Sequence, residues 1–91
     1  MPGFGENKNM THLDLWPQVE SLKRRVRETI GANLSFEFRS SQTYQAYTGL
    51  CGEAQMAHED EALSEALVTM LAEQAGKVIA LWRETEAKKD L

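Results

Sequence analysis

Three stretches of this chain carry side chains with chemistry to offer. The only cysteine, Cys51, stands between Gly49 and Gly52 in Tyr47-Thr48-Gly49-Leu50-Cys51-Gly52-Glu53. A nucleophilic thiol needs its pKa lowered by a helix start, a nearby cation or a histidine base. The nearest basic side chain in sequence, Arg39, is twelve positions away, and the neighbouring charge is Glu53, which acts in the wrong direction. The pattern predicts a packed, inert thiol and argues against an enzyme.

His58-Glu59-Asp60-Glu61 gathers metal-ligand types. A zincin helix requires a second histidine four positions after the first, but that position holds Ala62. Consecutive carboxylates also radiate around a helix instead of converging. A better role for Glu59, Asp60 and Glu61 is electrostatic, as acids at the start of a long last helix facing its positive dipole end, and with Glu65 they make an acidic patch. No metal or cofactor is expected.

Lys23-Arg24-Arg25-Val26-Arg27 places four cations within five residues, a pattern that can meet successive phosphates. Against nucleic acid stand the flanking Glu20 and Glu28, a net charge of −4 and the lack of a helix-turn-helix pattern after Gly31. A solvated helix face or a protein-docking patch fits these residues better. From Ser40 to Gly76 there is no Lys or Arg at all. Complementary charge within the fold or between two copies accounts for that asymmetry, and a basic docking site for something acidic is the alternative; as a function, the acidic span imitating nucleic-acid charge is a further rival.

The elements that must position these residues read as helices. Asp14 is a suitable N-cap, which places Pro17 in the tolerant first turn; Thr11 is the rival cap. Leu15, Val19, Leu22, Val26 and Ile30 then form one apolar stripe, which Gly31 can close. From about Asp60 to Ala87 good helix formers dominate, and Leu63, Leu67, Met70, Leu71, Val78, Leu81 and Trp82 share one side. At about 1.5 Å per residue that helix reaches roughly 40 Å, against about 25 Å for the first.

The middle is ambiguous. Leu34, Phe36 and Phe38 alternate as in a strand, so a hairpin over residues 34–48 is one reading. An isolated two-stranded hairpin is marginal, however, and no third strand is available. The preferred reading is a helix from near Asn33 or Ser35, bent or frayed at the glycines, with Phe36, Thr43, Tyr47, Leu50, Cys51 and Ala54 on its buried side. Gly49 and Gly52 then lie opposite, sharing a face with Phe38, Gln45 and Met56.

These elements predict an all-α fold: residues 1–10 as a disordered tail and 11–91 as one domain, a three-helix bundle with a long C-terminal helix. Its apolar faces exceed what one copy can cover, so a homodimer is expected. The longest wholly apolar run, Val78 to Trp82, is too short for a bilayer, and one cysteine suits a reducing cytoplasm. The expected function is non-enzymatic protein binding, as an adaptor, assembly factor or phage-type inhibitor. Trp16, Phe38, Tyr44, Gly49, Gly52 and Met56 are the candidate contact residues. Nucleic-acid binding through Lys23, Arg24, Arg25 and Arg27 is the alternative.

Overall fold

A computed structural model describes residues 12–89, and the expected tail at 1–10 lies outside them. The fold is all-α. Among the described residues four helices follow one another: α1 (His12–Ile30), α2 (Phe36–Ser40), α3 (Gln42–Glu59) and α4 (Glu65–Lys89). No strand occurs among the described residues, which disposes of the hairpin reading for residues 34–48.

The extra helix corrects the expected count of three, and its cause is local. Ser35 caps α2 by accepting from the Phe38 amide at 3.1 Å. Ser41 then ends α2 and starts α3 with a single hydroxyl. Its Oγ donates to the Phe38 carbonyl at 2.7 Å and accepts from the Tyr44 amide at 3.2 Å. A serine that satisfies orphan groups on both sides makes a break inexpensive there. The chain bends at Ser41, whereas α3 runs unbroken through Gly49 and Gly52, where the bend was expected.

α1 already includes His12, so Asp14 lies in its first turn and is not the cap. Pro17 consequently sits inside the helix, where its ring provides no donor for the carbonyl four residues earlier. At the other end Gly31 has φ +72°, and its amide donates to the Arg27 carbonyl at 2.8 Å. That is the left-handed C-terminal cap glycine favours.

α3 ends in a Schellman-type turn: the Glu61 amide reaches the His58 carbonyl at 3.0 Å and the Ala62 amide reaches Ala57 at 2.7 Å. Its left-handed residue is Glu61, at φ 56°. Ser64 opens α4 by accepting from the Leu67 amide at 3.2 Å. The start of α4 at Glu65 overturns the expected dipole role of Glu59, Asp60 and Glu61. These acids stand at the C-terminal end of α3, beside the negative end of its dipole, and only Glu65 falls in the first turn of α4.

α4 is the centre of the bundle. α1 and α3 each pack along it but touch one another sparingly. Trp16 near the start of α1 meets His58 near the end of α3, so those helices run antiparallel. Gln74 on α4 donates to the Thr43 carbonyl at 3.1 Å across the α3/α4 seam. The core joins Leu15, Val19, Val26 and Ile30 of α1 to Val68, Leu71, Ala75 and Val78 of α4, with Tyr47 and Ala54 from α3. Leu71 and Val78 are fully enclosed. Truncating a leucine in such a position removes about 2–5 kcal/mol, a large part of a small domain's stability.

α2 is held by aromatics. Phe38 presents an edge-on contact to Trp82 on α4 and a tilted one to Tyr44 on α3, each with centroids 5.4 Å apart. Geometries of this kind add about 0.5–1.5 kcal/mol beyond burial. Phe38 is therefore core, at 3 % exposure, and not the contact residue expected of it. Phe36 was expected on the buried side, yet it is 73 % exposed because the break at Ser41 takes it out of register with Tyr47.

Candidate functional site

The outward face of α3 carries Gly49, Gly52 and Met56, spaced three and four apart and all exposed. A Cβ built on either glycine meets nothing within 4 Å. Each glycine inside a helix costs about 1 kcal/mol relative to alanine, and no close approach among the described residues offsets this. The strip is smooth, with backbone close to its surface, and ends in Met56, an adaptable side chain that is 66 % exposed. Gln45 continues it toward the start of α3, but Phe38 does not belong to it. Met70 on α4 is another large apolar side chain turned to solvent.

Because α1 and α3 lie apart on α4, a cleft of about 220 Å³ opens between them. Val26, Ile30 and Leu34 line one side, Tyr44, Tyr47 and Cys51 of α3 the other, and Lys23 and Arg27 of α1 line it as well. Cys51 is half-buried here, not sealed in the core. Burial pushes its thiol pKa up, although a hydrogen bond with Tyr47 and the charge of Lys23 pull it down. Burial is also the main reason the Tyr47 hydroxyl is raised far above its ordinary range, with its bond to Cys51 second. The thiol is thus kept protonated at neutral pH, opposite to what a nucleophile requires.

The basic cluster divides. Lys23, Arg24 and Arg27 border a shallow hollow together with Glu20. Arg25 lies on another side of α1, along a groove formed with Pro17, Ser21, Leu22, Val68 and Ala72. Four cations close in sequence therefore do not form one row. Lys23 is half-buried, and its ammonium lies 5.7 Å from the Trp16 ring centroid, within reach of a cation–π contact. Trp16 itself is half-buried against His58, and Tyr44 is half-buried between Phe38 and Tyr47.

Glu59, Asp60 and Glu61 are exposed on the turn after α3, with Glu65 exposed beyond it. Among the described residues, no three His, Cys, Asp or Glu side chains group as a metal site. Among the same residues, no helix is long and apolar enough to cross a membrane.

Sequence reasoning missed the cleft. Lys23 and Arg27 are four apart on α1, and Tyr44, Tyr47 and Cys51 follow helical spacing on α3, so each half was visible. That the halves face one another depends on how far α1 and α3 separate on α4. The chain matches no known family, no curated protein and no solved structure.

Proposed function

We propose that this chain is a small acidic interaction module that acts without catalysis by docking the outer face of α3 on another protein. The observation that carries this reading is the exposed strip of Gly49, Gly52 and Met56, whose glycines reduce helix stability while an added Cβ would meet nothing among the described residues. Helix backbones approach closely where glycines leave room, and a flexible methionine fits varied surfaces. Trp16 and Tyr44 contribute from the inside, as packing that holds α3 in place. A second copy is one partner that fits, which would make the chain a homodimer. No cofactor takes part in this reading, and a reducing cytoplasm suits its single thiol.

Capture of interacting proteins from a native lysate, compared between the unaltered chain and Met56→Glu with Gly52→Leu, tests the proposal. Partners retained by the first and lost by the second support it. Equal capture by both overturns it. Light scattering over a dilution series reads self-association directly.

The nucleic-acid alternative rests on Lys23, Arg24 and Arg27 sharing one hollow. It calls for retention on a duplex that vanishes with moderate salt and with Arg24→Glu plus Arg27→Glu. Charge mimicry through Glu59, Asp60 and Glu61 calls instead for steep loss of partner binding when those acids are neutralised.

A further inference from the structure

The cleft between α1 and α3 has a composition that the docking of α3's outer face does not use. Its walls are apolar and aromatic: Val26, Ile30, Leu34, Tyr44 and Tyr47. Its only formal charges are positive, from Lys23 and Arg27, and no carboxylate lines it among the described residues. In a chain of net charge −4 that is a local reversal of sign, with Glu20 beside the same two cations in the neighbouring hollow and not in the cleft. Both cations are felt in the interior: burial raises the Cys51 thiol and the Tyr47 hydroxyl, and the charges of Lys23 and Arg27 respectively offset part of that rise.

An apolar hollow with a small number of placed polar groups is the general form of a small-molecule site. At about 220 Å³ this one is smaller than the usual 300–1,000 Å³ of drug-sized sites, which limits its occupant to a short chain or a single ring. The two cations, one turn apart on α1, are the charged groups of the lining, and guanidinium and ammonium groups suit a carboxylate.

We propose that the α1/α3 cleft binds a small free monocarboxylic acid with an apolar body, its carboxylate held by Lys23 and Arg27 and its body against Ile30, Leu34 and Tyr44. Cys51 lines the cleft as a spectator, so occupancy shields its thiol. For a ligand of this size, a dissociation constant of about 0.1–1 mM is expected.

Octanoate is the probe, with octanol as its uncharged counterpart. In amide spectra of the full chain, octanoate is expected to give saturable shifts at Gly31, Tyr47 and Cys51. Octanol and the Lys23→Gln, Arg27→Gln variant should bind at least about tenfold more weakly, the factor that loss of a charged hydrogen bond implies. Alkylation of Cys51 by iodoacetamide supplies a second reading in the unaltered chain, slowed in proportion to octanoate occupancy. Equal affinity for octanol, undiminished binding by the variant, shifts confined to the Met56 face, or no saturation by about 20 mM each overturn the proposal. None of these outcomes bears on protein capture by α3, so the two proposals fail separately.

Discussion

The indole of Trp16 lies flat on the imidazole of His58, with ring centroids 4.0 Å apart and planes 8° from parallel. The contact ties α1 to the last turn of α3, two helices that meet at few other places. His58→Ala should therefore lower stability by about 1 kcal/mol, the worth of a stacked pair. Urea unfolding followed by tryptophan emission reads both the lower midpoint and a red shift as the indole gains water. His58→Phe, which keeps a ring against Trp16, should recover most of the loss. An unchanged midpoint for the alanine variant would remove this stack from the account of the fold.

Ser41 joins α2 to α3 through a hydroxyl that donates to Phe38 and accepts from Tyr44. Ser41→Ala leaves both backbone groups without that partner and should cost about 1–2 kcal/mol, the upper part of the range for lost caps. Hydrogen exchange should localise the effect, with amides of α2 and the first turn of α3 exchanging sooner than those of α4. Uniform acceleration along the chain would mean that Ser41 is not a local joint.

Glu61 occupies the left-handed position after α3 at φ 56°, where a side chain crowds the backbone and glycine does not. It also places a carboxylate near the negative end of the α3 dipole. Glu61→Gly should stabilise the chain by about 1 kcal/mol, read as a raised urea midpoint at unchanged slope. Glu61→Ala removes the charge but retains the Cβ, so it should recover only the smaller electrostatic part. If alanine stabilises as much as glycine, charge and not backbone strain governs this turn. Strained positions often accompany function, so partner capture by Glu61→Gly is worth measuring alongside stability.

Apolar spacing made the helical class legible, and it placed the buried Leu15, Val19, Val26 and Ile30 on one stripe and Leu71 and Val78 on another. Gly31 closed α1 where its conformational freedom indicated. What could not be read was decided by groups with two competing roles. Ser41 resembles any polar residue within a helix until its hydroxyl is seen to serve two helices at once. Its break moved Phe38 into the core and Phe36 out of it. The run from Asp60 to Glu65 includes the good helix formers Glu61, Ala62, Leu63 and Glu65, yet the Schellman turn at Glu61 and the Ser64 cap won over propensity and moved the acids to the wrong end for a favourable dipole. The outward strip of Gly49, Gly52 and Met56 followed from periodicity alone, whereas the cleft needed two helices to be placed in space.

The raised pKa of Cys51 and of Tyr47 makes stability depend on alkaline pH in a definite direction. Below the ordinary thiol value of 9.0 both folded and unfolded chains keep their protons, and the folded state bears no penalty. Above it the unfolded chain loses its thiol proton first, because burial withholds ionisation in the fold. The unfolded state then binds fewer protons, so folding stability falls as pH rises from about 9 through the folded value. Tyr47 adds a second decline above its ordinary value of 10.0, for the same cause. Urea midpoints measured from pH 7 upward should be level to about pH 9 and then fall. Cys51→Ala should flatten the first part of that fall and shrink the Tyr47 part without abolishing it, because burial, its largest cause, remains while the bond to Cys51 is lost. Alkylation of the folded chain should be slower than that of the urea-unfolded chain at pH 8, since the attacking species is the thiolate. A folded-state rate equal to the unfolded one would mean that Cys51 is neither shielded nor raised, and would also remove the thiol as a reporter of what enters the cleft.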